Sequence, residues 1–140
     1  MIVLDTNIAL VAISGRRHPA AAPARQWLAS RSPHELFVTT ITLAEVAAGV
    51  ETLPDGARKE LLRESAASFF AAMEPNLLDF TTAAATEYAR VISRRKRLGR
   101  PISVLDAQIA AIALAAGASL ATRNSRDFEG TGLRTTDPYA

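Results

Sequence analysis

The stretch Met1-Ile2-Val3-Leu4-Asp5-Thr6-Asn7-Ile8-Ala9-Leu10-Val11-Ala12 changes its pattern at one residue. Ile2, Val3 and Leu4 form a β-type apolar run, and Asp5 follows it directly. Beyond Asp5, Ile8, Val11 and Ala12 recur at helical spacing. The chain is therefore read as passing from strand to helix at an acid.

The same hand-over recurs along the chain. Leu36-Phe37-Val38 reads as a second strand, and Thr39 to Thr42 lead into a helix carrying Glu45. Leu77-Leu78-Asp79-Phe80 reads as a third strand. The helix after it runs from Thr82 to Leu98, with Ala84, Tyr88 and Val91 facing in and Gly99 as its C-terminal cap. Ser119-Leu120-Ala121 reads as a fourth strand and Leu133-Arg134-Thr135 as a candidate fifth.

Helices fill the intervals. One surrounds Trp27 and Leu28, with Pro23 near its start and Pro33 closing the segment. Before it, Gly15 to His18 reads as a loop. Another follows the break at Pro54-Asp55-Gly56 and sets Leu61, Leu62, Ala66, Phe69, Phe70 and Met73 on one face. A last helix starts at Pro101 and Ser103 and carries Asp106; it is apolar nearly all round, which predicts a central, buried element. This alternation predicts an α/β fold with a mainly parallel sheet of four to five strands, covered by helices on both faces. No repeat or linker divides residues 1–140, which read as a single domain.

Composition narrows the chemistry. The 140 residues are 49% hydrophobic, enough for a core and too apolar for disorder. The absence of cysteine excludes a disulfide framework and a thiolate zinc site. The N-terminus lacks the basic start and cleavage site of a signal peptide. The longest apolar stretch, Ile109 to Ala121, is broken by Gly117 and Ser119 and falls short of the roughly 20 residues that span a bilayer. These features predict a soluble, cytoplasmic protein without a membrane partner. The net charge of +2 makes the chain no polycation, so the placing of its charges matters more than their sum.

Asp5, Glu45 and Asp106 are each read where an apolar strand-like run hands over to a helix. Each has a structural explanation: Asp5 as an N-cap, Thr42 with Glu45 as a capping box, and Ser103 with Asp106 as its aspartate version. Such explanations do not account for three acids at the same edge of a predicted sheet, where open α/β folds bind ligands. Carboxylates gathered there repel one another unless a divalent cation neutralises them. With only two histidines to compete, the donors are oxygens, suited to Mg²⁺ or Mn²⁺. Such an ion activates water and offsets charge on a phosphate, which points to phosphodiester hydrolysis.

Leu4-Asp5-Thr6-Asn7, Thr42-Leu43-Ala44-Glu45-Val46, Leu105-Asp106-Ala107-Gln108-Ile109-Ala110 and the run Ala121 to Gly130 stand in an order that resembles the PIN-domain ribonucleases, and among them the VapC-type toxins of bacterial toxin–antitoxin pairs. The likeness covers essentially the whole chain. It implies a PIN-like three-layer α/β/α sandwich and Mg²⁺-dependent endoribonuclease activity leaving 5′-phosphate and 3′-hydroxyl ends. It implies a homodimer and a cognate VapB-type antitoxin that restrains the toxin. It maps Asp5, Glu45 and Asp106 onto the family's catalytic, metal-holding acids. The fourth acidic position falls on Asn124, a neutral oxygen donor, and Asp127 nearby is a candidate to supply the missing charge.

Cations offer candidate contacts to the RNA backbone. The densest run is Arg94-Arg95-Lys96-Arg97 with Arg100; Arg123 is added, and Arg16, Arg17 and Arg126 are further flanking candidates. The alternative for the run is a solvated helix end favoured by the helix dipole. His18 and His34 read as surface residues. Two rival functions stay open: a non-catalytic interaction module of the same fold, and a haloacid-dehalogenase-type phosphatase. The latter normally needs a second acid where this chain has Asn7.

Overall fold

Alternating side chains sort each strand between two apolar layers. In the computed structural model, which describes residues 1–14 and 18–140, five strands are formed. They are β1 (Ile2–Leu4), β2 (Leu36–Thr39), β3 (Leu77–Leu78), β4 (Ser119–Ala121) and β5 (Thr135–Thr136). They lie side by side in the order β3-β2-β1-β4-β5, every pair parallel. Val3 pairs with Phe37 on one side and Leu120 on the other, so β1 is the middle strand.

The helices are α1 (Thr6–Ser14), α2 (Ala22–Ala29), α3 (Thr40–Glu51), α4 (Ala57–Met73), α5 (Thr82–Arg97) and α6 (Val104–Ala115). Val3, Leu120, Phe37 and Leu78 face α5 and α6, meeting Val91, Ile109, Ala110 and Ala113. Leu4, Val38, Leu77 and Ala121 face the opposite layer, meeting Ile8 of α1, Trp27 of α2 and Phe70 of α4. The fold is thus a three-layer α/β/α sandwich with a parallel sheet. Full burial of side chains such as Leu4, Ile8, Ile109 and Leu120 contributes about 1.5–3 kcal/mol each. Phe69 and Phe70 stack edge to face at 5.2 Å, inside the packing rather than outside it.

α6 is the buried helix its composition predicts, with Ala107 and the run Ile109–Ala113 out of solvent. Gly99 ends α5 as expected. Its φ of +67° is left-handed, and its N–H reaches the Lys96 carbonyl while the next N–H reaches that of Arg95.

Some boundaries differ from the sequence reading. β3 stops at Leu78, because Thr81 already caps α5 by accepting from the Ala84 N–H. The fifth strand exists but lies at Thr135–Thr136, where it pairs with Leu120 and Ala121. Thr39, not Thr42, caps α3, so Glu45 stands in the helix's second turn and forms no capping box. Asp106 does not follow a strand: α6 follows α5 through the loop at residues 98–103. Gly15, Arg16 and Arg17 of the expected loop lie outside the described residues. Among the described residues, no helix is long and apolar enough to cross a membrane.

Candidate active site at the switch in strand order

The chain leaves β1 toward β2 on one side and comes back to β4 on the other. A crevice therefore opens beyond the carboxyl ends of β1 and β4, where such sheets bind ligands. Asp5 stands there. Its N–H reaches the Ala121 carbonyl of β4 at 2.9 Å, which continues the ladder by one residue. Its carboxylate is held at both oxygens: Oδ1 accepts from the Thr6 N–H at 2.9 Å and Oδ2 from the Thr122 hydroxyl at 2.8 Å. Asp5 is 5% exposed and Thr122 fully buried.

Glu45 joins from α3. The Thr6 hydroxyl donates to Glu45 Oε1 at 2.8 Å and lies 3.1 Å from the hydroxyl of buried Thr42. Asp106 stands half-buried in the first turn of α6, where its N–H donates to Ser103 Oγ at 3.2 Å. Asp127 lies exposed in the short helical turn Ser125–Phe128, its N–H bonded to the Asn124 carbonyl. Asn124 is exposed, and its N–H donates to Thr122 Oγ1 at 3.1 Å.

The acids influence one another. Burial pushes the Asp5 carboxyl above its ordinary range; the bonds from Thr122 and Thr6 oppose this, and the charges of Glu45 and Asp127 add to it. Burial likewise raises Asp106, opposed by the Ser103 hydroxyl and reinforced by Asp5 and Asp127. Acids from α3, α6 and the turn after β4 thus act with Asp5 as one electrostatic group.

Among the described residues, no three acidic or histidine side chains come together closely enough to enclose an ion. The donor chemistry nevertheless fits a hard divalent cation. The acidic donors are all oxygens, and Mg²⁺ takes one or two carboxylates while keeping several waters. A cation among these acids would also lower the raised carboxyl values.

Three hollows that share lining residues lie beside Asp106 and Asp127. Asp106, Asp127, Ser103 and Arg95 line a crevice of ≈ 210 Å³. Asp127, Asn124 and Arg123 border the next hollow, of ≈ 350 Å³. Arg123 and Asn124 then join Asn7, His18 and Tyr139 around one of ≈ 630 Å³. Arg123 lies over the Tyr139 ring at 4.4 Å.

The predicted RNA-contact cations separate in space. Arg123 lines the hollow of ≈ 630 Å³. Arg94 donates to the Thr131 carbonyl, Arg97 to Ser93 Oγ and Arg100 to Glu129 Oε2. Arg95 departs most from the expectation. It is 5% exposed, its guanidinium bound to backbone carbonyls, so it is not the solvated cation its run suggests. Arg126 is exposed beside Asp127, and Arg16 and Arg17 lie outside the described residues. His18 and His34 are both exposed, and His18 also borders the hollow of ≈ 630 Å³.

The sequence reading missed Thr6 and Thr122 as site residues. The available signal was their position, a hydroxyl directly after Asp5 and directly after the β4 run. Tyr139 gave no signal, being remote in sequence from most of the hollow it lines.

The chain matches the PIN-domain family model over residues 2–132. The chain belongs to the PIN-domain family, on its VapC-type branch. It is 36% identical over 140 residues to plasmid stability protein StbB of Pseudomonas syringae pv. tomato, which covers 99% of each chain. It is 31% identical to VapC ribonuclease Y4jK of Sinorhizobium fredii, over 99% of this chain and 98% of that one. A solved structure of FitAB bound to a DNA fragment superimposes with a TM-score of 0.92 at 30% identity, covering 100% of this chain and 96% of the other.

Proposed function

We propose that this protein is a divalent-metal-dependent endoribonuclease, the toxin of a VapBC-type pair, working as a single domain in the cytoplasm. The observation that carries the reading is the electrostatic group around Asp5. The charges of Glu45 and Asp127 bear on Asp5 and those of Asp5 and Asp127 on Asp106, while burial raises both carboxyls. Mg²⁺ is the cation that best fits acids so loosely arranged, with Mn²⁺ an alternative. Asp5, Glu45 and Asp106 would hold it, with Asn124 and Asp127 completing the pocket. Once bound, such an ion neutralises charge on a phosphate and makes water a stronger nucleophile.

The residues divide the work. Thr122 and Thr6 hold the Asp5 carboxylate in one orientation. Thr6 also holds Glu45 Oε1. Asp106 would hold the ion from the first turn of α6. Arg123 lines the hollow of ≈ 630 Å³, where it can meet an RNA backbone phosphate. By likeness to the VapC ribonuclease and to FitAB, the partner is a VapB-type antitoxin, and the homodimer implied by the family resemblance is part of the same proposal.

The test is antitoxin-free protein on total bacterial RNA, with Mg²⁺ and with chelator, alongside Asp5→Asn and Asp106→Asn. The expected result is discrete cutting that chelator abolishes and that each substitution lowers at least a hundredfold. Undiminished cutting by both variants, or in chelator, would overturn the assignment. No cutting together with no divalent-ion binding would favour an interaction module.

A further inference from the structure

Arg95 is a charged side chain in an apolar layer. It shares the inward face of α5 with Ala84 and Val91 and is 5% exposed. Burying a guanidinium is costly unless its donors find acceptors. Here they find backbone. Nη1 donates to the Glu129 carbonyl at 2.7 Å and to the Arg126 carbonyl at 3.3 Å; Nη2 reaches the Pro101 carbonyl at 3.5 Å. Among the described residues, Nε is buried with no hydrogen-bond partner.

The acceptors belong to two separate segments. Arg126 and Glu129 bracket Asp127 in the turn after β4. Pro101 lies just before Ser103, whose hydroxyl caps α6 at Asp106. One planar fork therefore ties the segment bearing Asp127 to the segment bearing Asp106. Arg95 also lines the crevice of ≈ 210 Å³ that both acids share. Lysine, a single point donor, cannot reproduce this bridging geometry.

We propose that Arg95 is a positioning residue that sets the spacing of Asp106 and Asp127 for the divalent cation; this rests on the nuclease reading above. Its part is geometric. It holds the two loops so that the two acids can face the same ion. Outer partners of metal ligands typically change affinity by about 10–100-fold when removed.

The test is calorimetric titration of Mn²⁺ into the full chain, with thermal unfolding recorded for each variant. Arg95→Met keeps the length and loses the fork; Arg95→Lys keeps the charge and serves if the methionine variant does not fold. Arg90→Met is the control, since Arg90 is exposed on the same helix and, among the described residues, is bonded to Glu87. The expected result is Mn²⁺ affinity about tenfold or more weaker in the folded Arg95 variants and unchanged in Arg90→Met. A merely structural arginine would lower the unfolding midpoint and leave the Mn²⁺ affinity of the folded protein intact; that result overturns the proposal. Wild-type protein that binds no Mn²⁺ would sink the nuclease reading itself and this assignment with it, an outcome distinct from binding that survives in both variants.

Discussion

Thr122 is fully buried and gives its hydroxyl proton to Asp5 Oδ2, while its oxygen receives the Asn124 N–H. One side chain thus joins the ends of β1 and β4 and starts the turn toward Asp127. Thr122→Val keeps the shape and removes both bonds, leaving a buried carboxylate short of a donor. Urea unfolding at neutral pH should show a loss of about 1–3 kcal/mol. Because Thr122 favours the charged form of Asp5, the loss should shrink as pH falls and Asp5 protonates. A loss that does not vary with pH would contradict this account of the bond. The acids themselves were legible in the sequence, since each stands near the start of a helix. Their threonine partners were not, because a threonine after a strand is ordinary until its neighbour across the sheet is known.

At the scale of the element, α5 carries the main lesson. Its periodicity sets Ala84, Tyr88 and Val91 inward, and the next position on that face is Arg95. Pattern places Arg95 inside and charge places it outside. The carbonyls of the turn after β4 decide for the inside by supplying acceptors that the helix itself lacks. The end of α5 is a local matter and was legible. Gly99 adopts φ +67°, and a Cβ there would meet nothing within 4 Å. Gly99→Ala should therefore cost only backbone strain, about 1–2 kcal/mol, read as a lower midpoint in thermal unfolding. A neutral substitution would show that the terminus relaxes without a left-handed residue.

At the scale of the whole molecule, the fold gathers negative charge from separate elements at one place. Asp106 has a carboxyl value raised above its ordinary 3.8. A raised acid binds more protons folded than unfolded, so its favourable contribution is complete below the ordinary value and is lost as pH rises through the folded one. Asp106→Asn removes that loss. Without divalent ions, the variant should melt at a higher temperature than wild type at neutral pH, read by thermal unfolding. The difference should close as pH approaches 3.8. Adding Mn²⁺ should reverse the order, since wild type has the additional ligand. A variant less stable than wild type in chelator would argue that Asp106 serves the fold rather than an ion.

The sequence by itself determined the alternation of strand and helix, the buried character of α6 and the acids Asp5, Glu45 and Asp106. These follow from periodicity, capping chemistry and residue type, which act within one or two turns of chain. The tertiary structure alone decided which of these groups meet. Asp5 and Thr122 are 117 positions apart and hydrogen-bonded. It also decided that Arg95 is buried, that Arg123 and Tyr139 stack beside a hollow, and that α6 follows a helix rather than a strand. The reason is physical. Local pattern says which face of an element avoids water, whereas a buried charge or hydroxyl is set by the donors and acceptors that remote segments bring to it.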